Sequence, residues 1–397
     1  MKREEVNRNV WLYFAYTLLK EHLFWGAILI SFIVRVSGMT LSQVYFMEGI
    51  CVTGIVILQV PFGSFADIIG RRTAILIGLS CMVAESVLFA SATNPAMIWI
   101  ANLLWVLGYS VLYGADSALL YDSLIEGGRE DENKKIESRA NSLRLFLAGL
   151  CALSVGYLAE INLRLPVFMS AGTMSINLII AWFFIEPPLY HKHPNWSSYW
   201  RLMWKTIKQA IGNPQILWII ALTVVIGTTS KVWFFCYNPY FEAVKIPLHK
   251  FGLIFCMLNV VSGIFSWLNV WLNRHLGDRG IVLLMIAVCS IPIYLMGVLV
   301  SPAAALLVLL QNIARGSLEP FAISMLNVRT GSENRTTMLS LKATALYFGE
   351  SVGLQLFGWL LGFWTLFDSM KLLGVVAFAF GVVLIISQGL IFSKKSG

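Results

Sequence analysis

Ionisable side chains lie inside long apolar stretches of this 397-residue chain. A charge near the centre of a lipid bilayer costs about 2.5–3.5 kcal/mol on insertion scales, so each one needs a partner or a water-filled cavity. Buried carboxylates beside bases can bind and release protons, and buried bases attract anions. We therefore predict a cavity for a solute and for protons, formed by Lys20, Glu21, His22, Asp116, Lys231, Arg315, Glu319, Lys342 and Glu350.

The spacing of these residues leaves structural alternatives open. Neighbouring residues point about 100° apart on a helix, so Lys20 and Glu21 cannot share a face, and at least one must reach another helix or a cavity. Arg315 and Glu319 are four residues apart, so they could instead neutralise each other along one helix. Asp116 is either a protonatable, solute-contacting carboxylate or a member of a structural ion pair.

The elements that must position these residues are membrane-spanning helices. The chain is 58% hydrophobic and only 13% charged, whereas a soluble domain has about 25% charged residues. Apolar runs of about 20 residues are long enough to cross the hydrocarbon core. We predict an all-α membrane protein with twelve spans at about 10–35, 41–63, 73–92, 96–122, 141–160, 166–186, 214–240, 250–272, 280–300, 303–327, 337–362 and 370–392.

The spans fall into two similar halves. Gly277-Asp278-Arg279-Gly280 follows the eighth span as Asp67-Ile68-Ile69-Gly70 follows the second. We predict an N-terminal six-helix bundle over 1–186, a cytoplasmic linker over 187–213 and a C-terminal six-helix bundle over 214–397. Trp196, Trp200 and Trp204 recur among bases in the linker, which predicts a helix lying on the membrane surface.

Lys and Arg are concentrated in the segments that would face the cytoplasm if both termini are inside, which predicts that orientation. The apolar run after Lys2, Arg3 and Arg8 has no small-residue cleavage site and is interpreted as a retained helix rather than a signal peptide. The net charge of +8 is accounted for by these loops, so nucleic acid is not an expected partner.

The decapeptide from Gly63 to Arg72, Gly-Ser-Phe-Ala-Asp-Ile-Ile-Gly-Arg-Arg, joins the second and third spans. It closely resembles the loop between helices 2 and 3 of the major facilitator superfamily of transporters. Phe65 stands in place of the usual Leu and Ile68 in place of the usual Arg, while the Gly, Asp, Gly and Arg positions match. The resemblance implies the fold of that family, with twelve transmembrane helices in two pseudo-symmetric six-helix bundles.

The resemblance also implies a cytoplasmic gate in which Asp67, Gly70 and Arg71 latch the outward-facing state. Asp122 resembles a common acidic position of such transporters, and its expected partner is Arg139 or Arg144. The predicted gate residues are Gly63, Asp67, Gly70, Arg71, Arg72, Asp122, Arg139 and Arg144. The alternative is a plain hairpin turn whose positive charges only mark the cytoplasmic side.

Enzymatic signatures are missing from the sequence: there is no phosphate-binding Gly-x-x-x-x-Gly-Lys, no Gly-x-Ser-x-Gly and no His-Glu-x-x-His. Six cysteines are scattered singly, so neither a metal site nor a disulfide framework is predicted. We expect no enzyme and no cofactor other than the proton as coupling ion.

The expected function is secondary active transport of a small organic solute, anionic or zwitterionic, by alternating access. A proton-driven multidrug exporter is the first alternative, because Trp, Phe and Met are abundant, and a non-transporting membrane receptor on the same scaffold is the second. The expected partners are a small-molecule substrate and membrane lipid, and the expected form is a multi-pass monomer in a plasma membrane, specifically the bacterial inner membrane.

Overall fold

The computed structural model describes residues 1–188, 204, 206–330 and 335–392, except for the side chains at positions 60, 63–65, 67 and 336. The predicted surface helix with Trp196 and Trp200 therefore lies outside the described residues. Within the described ranges the regular structure is helical, as apolar spans require, because a helix satisfies its own backbone hydrogen bonds in lipid. Helices of the first half are α1 (Arg3–Leu19), α2 (Leu29–Ser37), α3 (Leu41–Ile69), α4 (Arg71–Ser91), α5 (Pro95–Leu112), α6 (Ala115–Glu126), α7 (Asn133–Ile161) and α8 (Leu165–Trp182).

Two of the spans predicted in the first half are interrupted. The first divides into α1 and α2, and residues 20–28 between them are not helical. The fourth divides into α5 and α6 at Gly114, whose φ of 81° lies in the left-handed region that glycine adopts at little cost. Both interruptions fall where the sequence places ionisable residues, since Lys20, Glu21 and His22 lie in one and Asp116 follows the other.

The second half contains α9 (Pro214–Ala243), α10 (His249–Val298), α11 (Val308–Arg329), α12 (Arg335–Leu360) and α13 (Leu366–Phe392). The predicted eighth and ninth spans both belong to α10, which changes direction at Gly277 with a φ of 65°. Gly70, between α3 and α4, has a φ of 99°. Each half therefore has a glycine of positive φ in the turn between its second and third predicted spans.

Eight stretches of the described residues are long and apolar enough to cross a membrane. One of them is the 50-residue α10, and another combines α5 with α6. Helices α11 and α12 are not among the eight, and they carry Arg315, Glu319, Lys342 and Glu350. The total of twelve spans stays a prediction.

The chain folds into two compact units. Unit 1 comprises Met1–Met39, Gly54–Pro194 and Leu248–Cys256, and unit 2 comprises Thr40–Thr53, Asn195–Pro247 and Met257–Gly397. Each unit thus takes a short segment from the other half of the sequence. The domain limits at 186 and 214 stay a prediction.

Unit 1 has a core in which Tyr13, Tyr16, Leu79 and Leu119 are almost fully buried. Helices α4 and α5 approach closely, because a Cβ added to Gly78 would lie 3.0 Å from the Gly108 carbonyl oxygen. The segment Leu248–Cys256 packs on α7 in the same way, since a Cβ on Gly156 would lie 2.5 Å from the Leu248 carbonyl oxygen.

Unit 2 has its own core around α9, with Ile219, Leu222, Met285 and Phe321 buried. Helix α12 packs closely on α9 at Gly349, because a Cβ there would lie 2.6 Å from Val224 Cγ1. The beginning of α3 belongs to this unit, where the Ser42 hydroxyl donates to the Gly358 carbonyl at 2.6 Å.

Candidate functional site

A polar cavity of about 470 Å³ lies in unit 1 at the two helix interruptions. Asp116 stands in the first turn of α6, and its Oδ1 accepts a hydrogen bond from the Ser117 amide at 2.8 Å. Its Oδ2 accepts a bond from Lys20 Nζ at 3.0 Å. The carboxylate is thus held both by a helix N-terminus and by a cation, two partners that complement its negative charge.

The second ion pair of this cavity joins Glu21 to Arg144 of α7. Lys20 and Glu21 therefore both face the cavity, although consecutive residues of a helix could not. The prediction was wrong in its premise, because the helix ends at Leu19 and these two residues lie in the non-helical segment. The four charges at the cavity wall form two pairs, and tyrosines supply most of the remaining polar lining: Tyr16, Tyr109 and Tyr113.

His22 is directed away from this cavity. Its Nε2 lies 3.0 Å from Glu85 Oε2 and 3.1 Å from Ser86 Oγ, both on α4. Glu85 is 2% exposed and was missed by the sequence reasoning. The signal that could have found it is its place in the middle of the apolar third span.

A second cavity, of about 340 Å³, lies in unit 2 between α9, α11 and α12. It brings together four of the predicted residues: Lys231, Arg315, Glu319 and Glu350. The Lys231 ammonium lies 5.2 Å from the centre of the Phe235 ring, and the Arg315 guanidinium lies 5.6 Å from the centre of the Phe234 ring. Such contacts favour a cation over an aromatic face.

Neither Lys231 nor Arg315 lies within 4 Å of a carboxylate oxygen in the described part of the chain. The alternative that Arg315 and Glu319 neutralise each other is therefore wrong. Both carboxylate oxygens of Glu319 accept bonds from Lys342 Nζ at 2.6 Å instead. The Lys342 side chain is 3% exposed and the Glu319 side chain is 56% exposed. The ion pair therefore joins a buried ammonium of α12 to an exposed carboxylate of α11.

Gln311 adds an uncharged donor to the same wall and was not predicted. It is 1% exposed, and its Oε1 accepts a hydrogen bond from the Tyr237 hydroxyl. Its Nε2 is buried with no hydrogen-bond partner among the described residues. An unpaired buried donor costs about 1–3 kcal/mol, so this amide is suited to a ligand that accepts a hydrogen bond.

The predicted cytoplasmic gate is held together differently from the prediction. Asp122 pairs with Arg71, whose Nε lies 3.3 Å from Asp122 Oδ2. Neither predicted partner takes this place, because Arg144 pairs with Glu21 and Arg139 is exposed. These contacts correct the expected clamp, which sequence could not resolve because it depends on which helices are neighbours. Gly63 and Asp67 lie on α3, and their side-chain positions are outside the described residues.

The carboxylate that caps α4 is Glu186, which sequence reasoning also missed. Its two oxygens accept bonds from the backbone amides of Arg71 at 2.6 Å and Arg72 at 2.8 Å. A Cβ on Gly70 would lie 3.0 Å from the Glu186 carboxyl carbon, so both the backbone angle and the cap require glycine there. Arg72 Nη2 donates to the Trp182 carbonyl at 2.6 Å, which fixes the end of α8 beside the same turn.

No group of three or more His, Cys, Asp or Glu side chains that could hold a metal ion occurs in the part of the chain that the structure describes. The two cavities are lined by groups that bind organic solutes and protons: ammonium, guanidinium, carboxylate, phenol and amide.

No family model matches the chain. A curated relative, an uncharacterized transporter of Rickettsia felis, is 24% identical over 251 residues, which cover 61% of this chain and 58% of the relative. The chain thus spans less than two thirds of that relative's length.

Solved structures of transporters match over almost the whole chain. A crystal structure of the nucleoside transporter NupG gives a TM-score of 0.76 at 13% identity, covering 98% of this chain and 99% of that one. A POT family transporter in complex with a thioalcohol conjugated peptide gives 0.74 at 11% identity, covering 98% and 96%. A bacterial homologue of the human lysosomal transporter Spinster, in an inward-facing and unoccupied conformation, gives 0.72 at 12% identity, covering 98% and 96%.

Identities this low show the fold alone. They confirm the predicted all-α class and the resemblance that the segment from Gly63 to Arg72 indicated, and the apolar helices make the chain a multi-pass membrane protein.

Proposed function

Because this chain has the fold of the major facilitator superfamily, we propose that it is a secondary active transporter of a small organic anion or zwitterion. Transport proceeds by alternating access and is driven by protons. The observation that carries the proposal is the cavity of unit 2, where two cations without ion-pair partners among the described residues lie beside a buried amide donor.

The donor set of this cavity favours a carboxylate or phosphate group. Arg315 can present two parallel N–H groups to such an anion, Lys231 adds a second positive charge, and Gln311 Nε2 adds a neutral donor. A hydrogen bond to a charged group contributes about 1.5–3 kcal/mol. A lipophilic cation would gain nothing from these groups, which is why the multidrug exporter is the weaker alternative.

Glu350 allows a zwitterion as well as an anion. It lines the same cavity, where it is half-buried and can accept a bond from an amino group of the solute. The cavity of about 340 Å³ is at the small end of the range for ligand pockets, about 300–1,000 Å³. The nucleoside and peptide transporters of the same fold also carry small polar solutes, which supports this size class.

Coupling to protons is proposed because carboxylates lie beside bases in both units. Asp116 with Lys20, and Glu350 in the cavity of Lys231 and Arg315, are placed where uptake of a proton changes the net charge available to the solute. We further propose that the chain works as a monomer in the bacterial inner membrane, with both termini in the cytoplasm and the turn at Gly70 in the cytoplasmic gate.

The test uses the purified full-length protein in proteoliposomes. Labelled succinate, glycerol 3-phosphate and dialanine serve as anionic and zwitterionic probes, and uridine serves as a neutral one. We expect counterflow of at least one charged probe, stimulation by an inward proton gradient, and a loss of apparent affinity of about tenfold or more in Arg315→Gln.

Lys371→Gln is the matched control, because Lys371 is a half-exposed cation of the same unit that pairs with Asp368. Its kinetics should equal those of the wild type. Transport of uridine alone, unchanged by Arg315→Gln, would contradict the anionic substrate class. Efflux of ethidium without flux of the charged probes would favour the exporter, and the absence of any flux would favour the receptor.

A further inference from the structure

An imidazole and a carboxylate meet inside unit 1, apart from the residues that line its cavity. The His22 side chain is 9% exposed and the Glu85 side chain is 3% exposed. Glu85 Oε2 accepts bonds from His22 Nε2 at 3.0 Å and from the Ser86 hydroxyl at 2.9 Å. The His22 ring stacks on Trp25, with ring centres 3.9 Å apart and planes 16° apart. The pair is therefore largely buried and fixed in orientation.

The contacts determine which nitrogen of the His22 ring carries the hydrogen when the ring is neutral. An ionised Glu85 can only accept, so Nε2 of a neutral His22 must hold the hydrogen that bridges to it. An added proton then binds at the other ring nitrogen, Nδ1. Imidazole changes charge near neutral pH, so this exchange needs no extreme conditions.

The surroundings offer little to compensate a charge on the pair. Helix α8 packs on α4 and carries no ionisable side chain, and α5 carries Tyr109 alone. Arg164, directly before α8, is engaged by the Ala90 and Ala92 carbonyls at the end of α4, at 2.6 Å each. Helix α6 contributes Asp116, whose charge is matched by Lys20, and the segment itself contributes Glu21, which pairs with Arg144. On α1, the buried ionisable side chains are those of Tyr13 and Tyr16.

We infer that His22 and Glu85 form a binding site of the coupling proton in addition to the cavity carboxylates, an inference that rests on the proposed proton-driven transport. With His22 neutral, the pair carries one negative charge in a buried place. A proton taken from water at Nδ1 makes an imidazolium and brings the pair to zero, and its return to water restores the charge.

The chain supplies the link from this site to the cavity. His22 directly follows Lys20 and Glu21, and all three lie in the non-helical segment between α1 and α2. The segment is a run of turns with a backbone bond from the Ile28 amide to the Trp25 carbonyl at 2.9 Å. Its side chains and backbone are also anchored by the His22–Glu85 contact and by the bond from the Phe24 amide to Ser170 Oγ at 3.1 Å. A change in the strength of the His22–Glu85 contact therefore acts on the two residues that the cavity exposes.

The first experiment does not depend on knowing the substrate. The full-length protein, labelled with ¹⁵N-histidine, is placed in lipid nanodiscs, and the imidazole signals are followed from roughly pH 5 to 9. His22→Gln assigns the signal. We expect His22 to change protonation state within this range, and its midpoint to fall by about one pH unit or more, a tenfold weaker hold on the proton, in Glu85→Gln.

The matched control is a second His–Glu pair in the same unit, where His249 Nδ1 lies 2.7 Å from Glu160 Oε1 at a half-exposed place. Glu160→Gln should shift the titration midpoint of the His249 signal and leave the midpoint of the His22 signal unchanged. A His22 that stays in one protonation state across the range, or whose midpoint is the same in Glu85→Gln, would overturn the inference. If Glu85→Gln does not fold, Glu85→Asp takes its place, since it keeps the carboxylate but moves it away from His22 on a shorter side chain.

A second experiment measures flux with the charged probe that the wild type exchanges fastest. We expect His22→Gln to retain exchange of that probe, which needs no net proton movement, and to lose at least tenfold of the accumulation driven by a proton gradient. His249→Gln should accumulate the probe like the wild type. Accumulation by His22→Gln at the wild-type level would sink the proton site while leaving transport intact, whereas a wild type without exchange would sink the proposed transport and leave the titration to decide on the site.

Discussion

Two polar cavities among the described residues, one in each unit, use buried charge in opposite ways. In unit 1, each charged group of the lining has a partner of opposite sign, in the pairs Lys20–Asp116 and Glu21–Arg144. In unit 2, Lys231 and Arg315 lie over aromatic rings without a carboxylate within 4 Å among the described residues. Paired charges hold helices together, whereas cations without a partner are available to a solute.

The backbone follows the same division. The charged residues of unit 1 are placed by interruptions of the helices, at residues 20–28 and at Gly114. Those of unit 2 lie on continuous stretches of α9, α11 and α12. Interrupted helices are a recurrent feature of transporter binding sites, because freed backbone groups and helix ends can contact ions and substrates. We therefore expect substitutions in unit 2 to alter affinity, and substitutions in unit 1 to alter stability and coupling.

The largest effect is expected from Lys231→Gln combined with Arg315→Gln. Removing both cations removes two charge-assisted contacts to the solute, each contributing about 1.5–3 kcal/mol. The apparent affinity for the best anionic probe should fall by about 100-fold or more. The melting temperature should change little, since neither cation lies within 4 Å of a carboxylate oxygen among the described residues and only the longer-range attraction to Glu350 in the same cavity is lost. Counterflow kinetics and thermal unfolding in detergent provide the two measurements. An unchanged affinity would contradict the proposed difference between the two cavities.

Asp116→Asn should act mainly on stability. It leaves Lys20 without its carboxylate in a mostly buried place, where the loss of one partner from an ion pair is expected to cost about 1–3 kcal/mol after allowance for the partial exposure of Lys20. The double variant Lys20→Gln, Asp116→Asn should recover much of this loss, because it leaves no charge unpaired. Thermal unfolding of the four proteins forms the double-mutant cycle, and additive losses would contradict a direct pair.

Glu319→Gln sharpens the comparison within unit 2. It frees the Lys342 ammonium, whose side chain is 3% exposed, and adds a positive charge to the cavity. We expect a loss of stability of about 1–3 kcal/mol, because the buried Lys342 ammonium loses its partner, after allowance for the exposure of Glu319. The affinity for an anionic probe should rise a few-fold, of the order of threefold, by the added attraction. A fall in affinity would show that Glu319 contacts the solute directly.

The smallest effect is expected from Gly114→Ala, which tests the interruption itself. An added Cβ at Gly114 meets no atom within 4 Å, so the cost comes from the φ of 81°, about 1 kcal/mol. Gly172→Ala is the matched control, because Gly172 is equally unobstructed but lies in the regular helix α8, where alanine is the better helix former. In thermal unfolding, Gly114→Ala should lower the melting temperature and Gly172→Ala should raise it. Equal melting temperatures would mean that the left-handed turn before Asp116 is not maintained in solution.

Sequence reasoning reached the fold through composition and one short motif. Apolar runs of membrane length dictated helices, and the segment from Gly63 to Arg72 indicated the arrangement of the helices. Sequence reasoning also assigned nine charged or titratable residues to one cavity, and the structure distributes them differently. Lys231, Arg315, Glu319 and Glu350 line the cavity of unit 2, Lys20, Glu21 and Asp116 line that of unit 1, and His22 and Lys342 line neither of these two. The functional roles assigned to these residues stay predictions.

The partners of the charged residues could not be predicted, because pairing is decided by which helices become neighbours. Asp122 pairs with Arg71, 51 positions away, rather than with the nearer Arg139 or Arg144. The rule that neighbouring residues diverge on a helix failed for Lys20 and Glu21 because the helix ends just before them. Glu85 and Gln311 escaped attention for a related reason, since only the fold shows that the first meets His22 and that the second has no partner for its amide among the described residues.

The exchange of segments between the two compact units bears on how the polypeptide is synthesised. Unit 1 is completed by Leu248–Cys256, and unit 2 by Thr40–Thr53. A gene divided between the codons for residues 187 and 213 would therefore encode two fragments. Each fragment would lack the short segment that completes its compact unit, because that segment is part of the other fragment. Ribosomes that make the halves separately should produce a stable protein only when both products enter the same membrane.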